Sequence, residues 1–176
     1  MNRLLNRLLN LALAAGAGAV LLGLLLPIRH GVIYGSRPGT MHINCMSNMK
    51  QIGIAYRLWS GDHGDNYVVN TSTNQGGTLE FCDRDRDGFE RHSALHFLPM
   101  SNELSTPKVL TCPQDKSKKW AEDWAHLTDA NVTYRVRSGK DVDETNPRGV
   151  LFVCPIDGNT AYCDGSVEPG KFGKPK

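Results

Sequence analysis

The chain has 176 residues, and 20 Lys and Arg against 18 Asp and Glu leave a formal net charge of +2. This length is enough for one domain and an anchor. The near-neutral balance gives no support to nucleic-acid binding, which normally requires a clustered basic surface. The residues after the first 28 are mostly polar, so we expect a modest hydrophobic core.

Residues 8–28 are 21 consecutive positions without a charged side chain. As a helix they would extend about 30 Å, the thickness of a bilayer core. The run is longer than the ~7–15 apolar residues of a cleaved signal peptide, so a retained anchor is favoured. Arg3 and Arg7 precede it, which favours a cytoplasmic N-terminus. We therefore predict a single-pass membrane protein with an anchor in residues 1–30 and its C-terminal domain periplasmic or extracellular.

Three glycines and Pro38 in residues 31–40 predict a linker. A helix is predicted over residues 41–60, because apolar side chains recur there at spacings of three and four. The predicted buried stripe consists of Cys45, Met49, Ile52, Tyr56 and Trp59, widened by Ala55 and Leu58. Gly61 and Gly64 stand where helices commonly end.

The remaining chain consists of short segments separated by turn residues. We predict helical turns around residues 92–98, strands at Lys108–Thr111 and Val132–Val136, a helix over Ser117–Thr128, and strands at Val150–Val153 and Thr160–Cys163. Asp157-Gly158 between the last two strands is a strong hairpin signal. The predicted fold class is α+β: one long helix packed on a small antiparallel sheet with long loops. The globular domain would span residues 41–168, followed by a flexible tail at 169–176.

Five cysteines in a domain on the oxidising side of a membrane predict disulfides. If Asp157-Gly158 is a two-residue turn, Cys154 faces Ala161, and Cys163 is about 7–8 Å away on the diagonal. If residues 157–160 form the turn, Cys154 faces Cys163. We favour a Cys154–Cys163 disulfide.

The next most plausible disulfide is Cys82–Cys112, with Cys45 free on the helix face. Cys112 and Cys154 are each followed by proline, as in zinc knuckles, but no two cysteines have the C-x2-C spacing. This spacing argues against structural zinc.

Asp83, Asp85 and Asp87, followed by Gly88, match the opening of a calcium-binding loop, and Glu90 offers one more oxygen. The twelfth position of such a loop would require Glu but is Ala94. A solvated acidic loop and a weak calcium site therefore both remain open, and no other cofactor is expected.

His92 and His96 are spaced to share a helix face, where we expect exposed or capping roles. No nucleophile elbow or glycine-rich phosphate loop occurs in the chain. We predict no catalytic residues and no small-molecule substrate.

One set of segments resembles a known family. The segments INCMSNMKQIGIAYRLWSGDHGDNYV, NQGGTLEF, MSNELSTPKVLTCPQDKS, NVTYRV, DVDETNP and GNTAYCDGSV occur in the order found in pilin-like proteins, in particular the major, G-type pseudopilins of type II secretion. The resemblance covers residues 43–167. It implies a pilin-like fold, an inner-membrane anchor, a structural role, and other pilin-like or secretion-system subunits as partners.

The chain departs from that family at its N-terminal segment. The usual Gly-Phe-Thr-Leu-Ile-Glu-like cleavage motif does not occur in it, and residues 8–28 contain no glutamate. Pro27 and the glycines and proline of residues 31–40 interrupt the helix that is continuous in the family. The alternative is therefore a stand-alone, membrane-anchored extracytoplasmic binding module that does not polymerise.

Overall fold

The computed structural model describes residues 38–170. The predicted anchor, residues 31–37 of the predicted linker and residues 171–176 of the predicted tail lie outside the described residues. Between residues 38 and 170, no helix has both the length and the apolar character needed to cross a membrane.

The long helix α1 spans Pro38–Gly61. It begins three residues before the predicted start, so the last residues of the predicted linker are helical. Pro38 suits this first position, because its missing N–H would have no partner inside a helix. Gly64, just beyond the end, has the left-handed φ of 68°.

One face of α1 is fully packed. The predicted stripe is confirmed, since its members are at most 3% exposed: Cys45, Met49, Ile52, Ala55, Tyr56 and Trp59. The prediction that Leu58 belongs to this stripe is wrong, because its side chain is 57% exposed. Leu58 lies about 140° around the helix from the centre of the stripe at 100° per residue.

The sheet has four short strands: β1 (Arg135–Val136), β2 (Val150–Val153), β3 (Thr160–Tyr162) and β4 (Val167–Glu168). They are antiparallel and adjacent in chain order. Helix α1 packs on β3 and β4. The predicted α+β class, with one long helix and a small antiparallel sheet, is confirmed. β4 was not predicted.

Two local predictions in the middle of the chain are wrong. The segment predicted as strand Lys108–Thr111 overlaps the 3-10 helix Pro107–Leu110, whose start is capped by the Thr106 side chain. The predicted helix Ser117–Thr128 contains only the 3-10 turn Trp124–His126. Asp123 accepts a hydrogen bond from the His126 amide at 2.9 Å, and such side-chain bonds compete with a continuing helix.

The hairpin between β2 and β3 differs from both predicted registers. Val153 pairs with Thr160, and the Cys154 amide donates to the Asn159 carbonyl at 2.9 Å. The loop is therefore residues 155–158, where Gly158 has a φ of 72°. A bulge between Val150 and Phe152 then shifts the pairing.

The positions of Cys154 and Cys163 follow from this register. The Cys163 amide donates to the Gly149 carbonyl, so Cys154 and Cys163 are not opposite each other. All five cysteines lie within the described residues and are free thiols. The structure thus contains neither the predicted Cys154–Cys163 bridge nor the predicted Cys82–Cys112 bridge.

Candidate functional site

The predicted calcium loop is a small β-hairpin attached to the edge of the sheet. Arg84 pairs with Glu90, and Phe89 pairs with Arg137 just beyond β1. The Asp85 amide donates to the Phe89 carbonyl at 2.8 Å. Gly88 provides the left-handed residue of the turn, with a φ of 82°.

The carboxylates of this hairpin bind backbone amides and arginine side chains of the protein. One oxygen of Asp85 accepts the amides of Asp87 and Phe89 at 2.9 and 3.1 Å, and the other pairs with Arg135. These bonds, the Phe89 amide first, hold the pKa of Asp85 below its usual value. Asp83 pairs with Arg91 at 3.5 Å.

Glu90 points away from the other hairpin carboxylates and into the core. Its side chain is fully buried, and its oxygens accept bonds from the Ser138 hydroxyl and from the Asp83 amide. The structure therefore does not gather Asp83, Asp85, Asp87 and Glu90 around one point.

A buried polar cluster surrounds Glu90. His96 Nε2 lies 3.2 Å from a Glu90 oxygen, and His96 Nδ1 lies 2.7 Å from the Thr78 hydroxyl. Cys82 Sγ is within 4.8 Å of the facing Glu90 and His96 atoms. Burial lowers the pKa of His96, against the opposing effect of Glu90. Burial raises the pKa of Cys82, so this thiol is not activated as a nucleophile.

The prediction that His92 and His96 share a helix face is wrong, and so is the exposed or capping role predicted for His96. His96 is fully buried, whereas His92 is exposed and pairs with Asp129 at 3.0 Å. The segment forms the 3-10 turns Ser93–His96 and Leu98–Met100, in which residues four apart do not lie on one line. The prediction of helical turns here is confirmed.

Three cysteines and an aspartate from separate elements meet in the core. Cys45 lies on α1, Cys112 follows the 3-10 helix Pro107–Leu110, and Cys154 follows β2, with Asp157 in the next loop. Their sulfur and oxygen atoms all lie within 4.8 Å of one another. The thiols are fully buried. Sequence reasoning missed this cluster, because none of its cysteines are close in the chain.

A repeated tetrapeptide is the signal that could have revealed it. Cys112-Pro113-Gln114-Asp115 and Cys154-Pro155-Ile156-Asp157 share the pattern C-P-x-D. In the first turn, the Asp115 amide donates to the Cys112 carbonyl at 2.9 Å. In the second turn, the Gly158 amide donates to the Cys154 carbonyl at 2.9 Å.

The two aspartates have different surroundings. Asp115 accepts the Thr133 and Ser117 hydroxyls at 2.8 and 2.6 Å. Asp157 instead faces the thiols, with one oxygen 3.8 Å from Cys112 Sγ and 3.7 Å from His42 Nδ1.

The three thiols are electrostatically linked. Hydrogen bonds from Cys112 and Cys45, followed by those from the backbone amides, lower the pKa of Cys154. A hydrogen bond with Cys154 raises the pKa of Cys112, and hydrogen bonds with Cys112 and Cys154, together with burial, raise the pKa of Cys45. Burial raises the pKa of Asp157.

The solvent face of α1 carries apolar side chains. Ile43, Ile54 and Leu58 are 66%, 56% and 57% exposed. They lie within about 60° of one another around the helix and extend over about 22 Å, with the exposed Ser47 and Lys50 between Ile43 and Ile54. We call these three residues the α1 stripe. A depression of about 310 Å³ borders its end and is also lined by Arg57 and Glu144.

Comparison of the chain with models of known protein families, with curated proteins and with solved structures yields no match.

Proposed function

We propose that this chain is a non-enzymatic structural or assembly component resembling a type II secretion pseudopilin. In this proposal it is anchored in the inner membrane by residues 1–30, with its domain outside the cytoplasm. Its partners are copies of itself and other pilin-like or secretion-system subunits. The resemblance over residues 43–167 and the long helix packed on a small antiparallel sheet support this proposal.

The observation that carries the proposal is the two-sided character of α1. The inner face of α1 packs against the core, whereas the α1 stripe presents apolar side chains to solvent. Neighbouring exposed apolar side chains, such as Ile54 and Leu58, occur at protein interaction surfaces. A helix-to-helix contact with a second copy would cover them together with Ile43.

The rim of the stripe adds polar complementarity. Arg57 pairs with Glu144 at 3.4 Å, with side chains 56% and 34% exposed. A polar rim around an apolar centre is the usual anatomy of a protein interface. The charged pair would favour one orientation of the partner over others.

Site-specific photo-cross-linking in intact membranes tests this proposal. A photoreactive residue in place of Ile54 or Leu58 should yield covalent adducts containing two copies of the chain. The matched control is Phe81, which is 54% exposed but lies outside α1, and it should yield no such adduct. If stripe positions in folded, membrane-bound protein give no adduct, the assembly role is wrong.

The alternative proposal is a stand-alone binding module that does not polymerise. It is favoured by the depression beside Ile54 and Leu58, whose lining mixes apolar and charged groups. Its volume of about 310 Å³ is at the lower end of the ligand-pocket range. If the chain remains monomeric with the photoreactive residue at each stripe position, this alternative is favoured.

A further inference from the structure

We propose that Cys45, Cys112, Cys154 and Asp157 bind one Zn²⁺ ion, which holds α1 to the two C-P-x-D turns. This site goes beyond the proposed assembly role and does not depend on it.

The donor set and its spacing suit tetrahedral zinc. Structural zinc sites use four ligands, mostly thiolates, at about 2.3 Å for sulfur and about 2.0–2.2 Å for oxygen. Sulfur ligands of such an ion are about 3.8 Å apart. The four ligand atoms here all lie within 4.8 Å of one another, and Cys112 Sγ is 3.8 Å from the Asp157 oxygen. A contraction of less than about 1 Å would complete the coordination.

Each ligand comes from an element that the fold holds in place. Cys45 is on the buried face of α1, and the two other cysteines begin turns closed by backbone bonds. The Asp115 amide donates to the Cys112 carbonyl, and the Gly158 amide donates to the Cys154 carbonyl, both at 2.9 Å. A site assembled from rigid elements loses little conformational entropy on binding a metal.

Hydrogen-bond donors surround the Cys45 thiol. The Tyr134 hydroxyl and the Asn159 amide group lie 3.8 and 3.5 Å from Cys45 Sγ, and both are donors. Donors around the ligands are a regular feature of metal sites. Three thiolates and one carboxylate carry four negative charges, and Zn²⁺ carries two positive charges. The donors therefore also stabilise the two negative charges that remain.

The Asp157 side chain independently points to a cation. It is 4% exposed and aimed at three fully buried thiols. In the described part of the chain, the polar contacts of its carboxylate are the Cys112 and Cys45 thiols and the His42 ring, which lies 3.7 Å away. A buried carboxylate without a cation is costly. Zn²⁺ would supply that cation, and its binding would release the thiol protons to solvent.

The first test is the metal content of the full-length chain, purified in detergent under reducing conditions without chelators. We expect about one Zn²⁺ per chain. After exchange with Co²⁺, we expect sulfur-to-cobalt charge-transfer bands and the strong visible absorption of tetrahedral cobalt. Substoichiometric zinc together with no such cobalt spectrum would overturn the proposal.

Matched variants identify the ligands. Cys112→Ser and Cys154→Ser should lose the cobalt spectrum, whereas Cys82→Ser, which changes a thiol outside the cluster, should retain it. Asp157→Asn keeps three thiolates and should weaken Zn²⁺ binding by at least about tenfold, since removing even an outer-shell partner costs about 10–100-fold. Unchanged binding in all three ligand variants would contradict the site.

Two measurements on the unmodified chain keep the test valid if the serine variants do not fold. A chelator should lower Tm, and added Zn²⁺ should restore it. Peptide mapping without reduction should find Cys45, Cys112 and Cys154 free of disulfides in the freshly isolated protein. A disulfide between any two of them, or a Tm unaffected by the chelator, would overturn the proposal.

Discussion

At the residue scale, Glu90 and His96 form the most deeply buried ionisable pair described above. Both side chains are fully buried, and their atoms are 3.2 Å apart. The Thr78 hydroxyl also lies within hydrogen-bond distance of the Val68 carbonyl, so this polar pair is tied to the backbone of a neighbouring loop. Despite its short distance from Glu90, the His96 Nε2 atom has no hydrogen-bond partner of acceptable geometry in the described part of the chain.

The lowered pKa of His96 predicts a pH-dependent stability. Its ordinary pKa is 6.5. As the pH falls, His96 therefore binds a proton near pH 6.5 in the unfolded chain but only at a lower pH in the folded chain. The free energy of unfolding should therefore be highest above pH 6.5 and should fall as the pH drops towards the lowered folded-state pKa. Urea denaturation at about pH 8 and about pH 5.5 measures this difference.

Two variants separate this effect from other titrations. His96→Gln should have a lower free energy of unfolding than the parent at both pH values. The difference in this free energy between the two pH values should be much smaller than in the parent. His126→Gln changes a histidine whose side chain is 77% exposed, and it should keep the full difference. An unchanged pH dependence in His96→Gln would show that another group is responsible.

The acidic hairpin permits a comparison of two neighbouring carboxylates. Asp85 accepts two backbone amides and pairs with Arg135, whereas Asp87 is 73% exposed and lies 3.6 Å from the same arginine. Asp85→Ala should therefore lower Tm clearly, and Asp87→Ala should leave it close to that of the parent. Thermal denaturation monitored by circular dichroism measures both.

Calcium should not change this result, because the hairpin carboxylates already bind protein donors. We expect added Ca²⁺ to leave Tm unchanged in the parent and in both variants. A rise in Tm at micromolar Ca²⁺ that disappears in Asp85→Ala would instead support a calcium site in the hairpin.

At the scale of elements, α1 shows how sharply the buried and exposed faces divide. Trp59 is 3% exposed and stacks on the His63 ring at 3.6 Å between centroids, whereas the adjacent Leu58 is 57% exposed. Trp59→Ala should lower the free energy of unfolding by about 3–5 kcal/mol through lost burial and a residual cavity.

Leu58→Ala is the matched control for this prediction. Because it removes little buried surface, it should change the free energy of unfolding by no more than about 0.5 kcal/mol. Equilibrium urea denaturation of both variants provides the comparison. Similar losses in the two variants would mean that the division of the helix faces is wrong.

The turn after β3 explains why β4 was missed. Cys163-Asp164-Gly165 forms this turn, with Gly165 at a φ of 80° and the Tyr162 amide bonded to the Ser166 carbonyl. Three-residue hairpin loops with a left-handed glycine are common. The two residues of β4 are too few for an alternating pattern, so only pairing with β3 identifies them.

At the scale of the whole molecule, the proposed membrane topology makes a direct prediction. Arg3 and Arg7 precede the uncharged residues 8–28, which favours a cytoplasmic N-terminus. A fusion of alkaline phosphatase to the C-terminus should therefore be active, because this enzyme requires an oxidising compartment. The chain should also fractionate with membranes.

The control is a fusion in which residues 1–30 are deleted, which should be inactive and soluble. An inactive full-length fusion would contradict the proposed topology. Recovery of the intact chain in the soluble fraction would contradict the anchor.

The amino-acid sequence by itself determined the elements that depend on neighbouring residues. The spacing of Cys45, Met49, Ile52, Tyr56 and Trp59 predicted the buried face of α1, because helical periodicity places these residues together whatever the partner. The apolar run Val150–Val153 likewise predicted β2. From these elements the α+β class could be inferred.

Only the tertiary structure decided which distant groups meet. Cys45, Cys112 and Cys154 converge because α1, a loop and the end of β2 pack together, and no local spacing encodes that contact. The same holds for Glu90 and His96, which sequence reasoning assigned to a surface loop and a helix face. Local pattern specifies which side of an element is apolar, whereas long-range packing selects the register and the neighbours of each polar group.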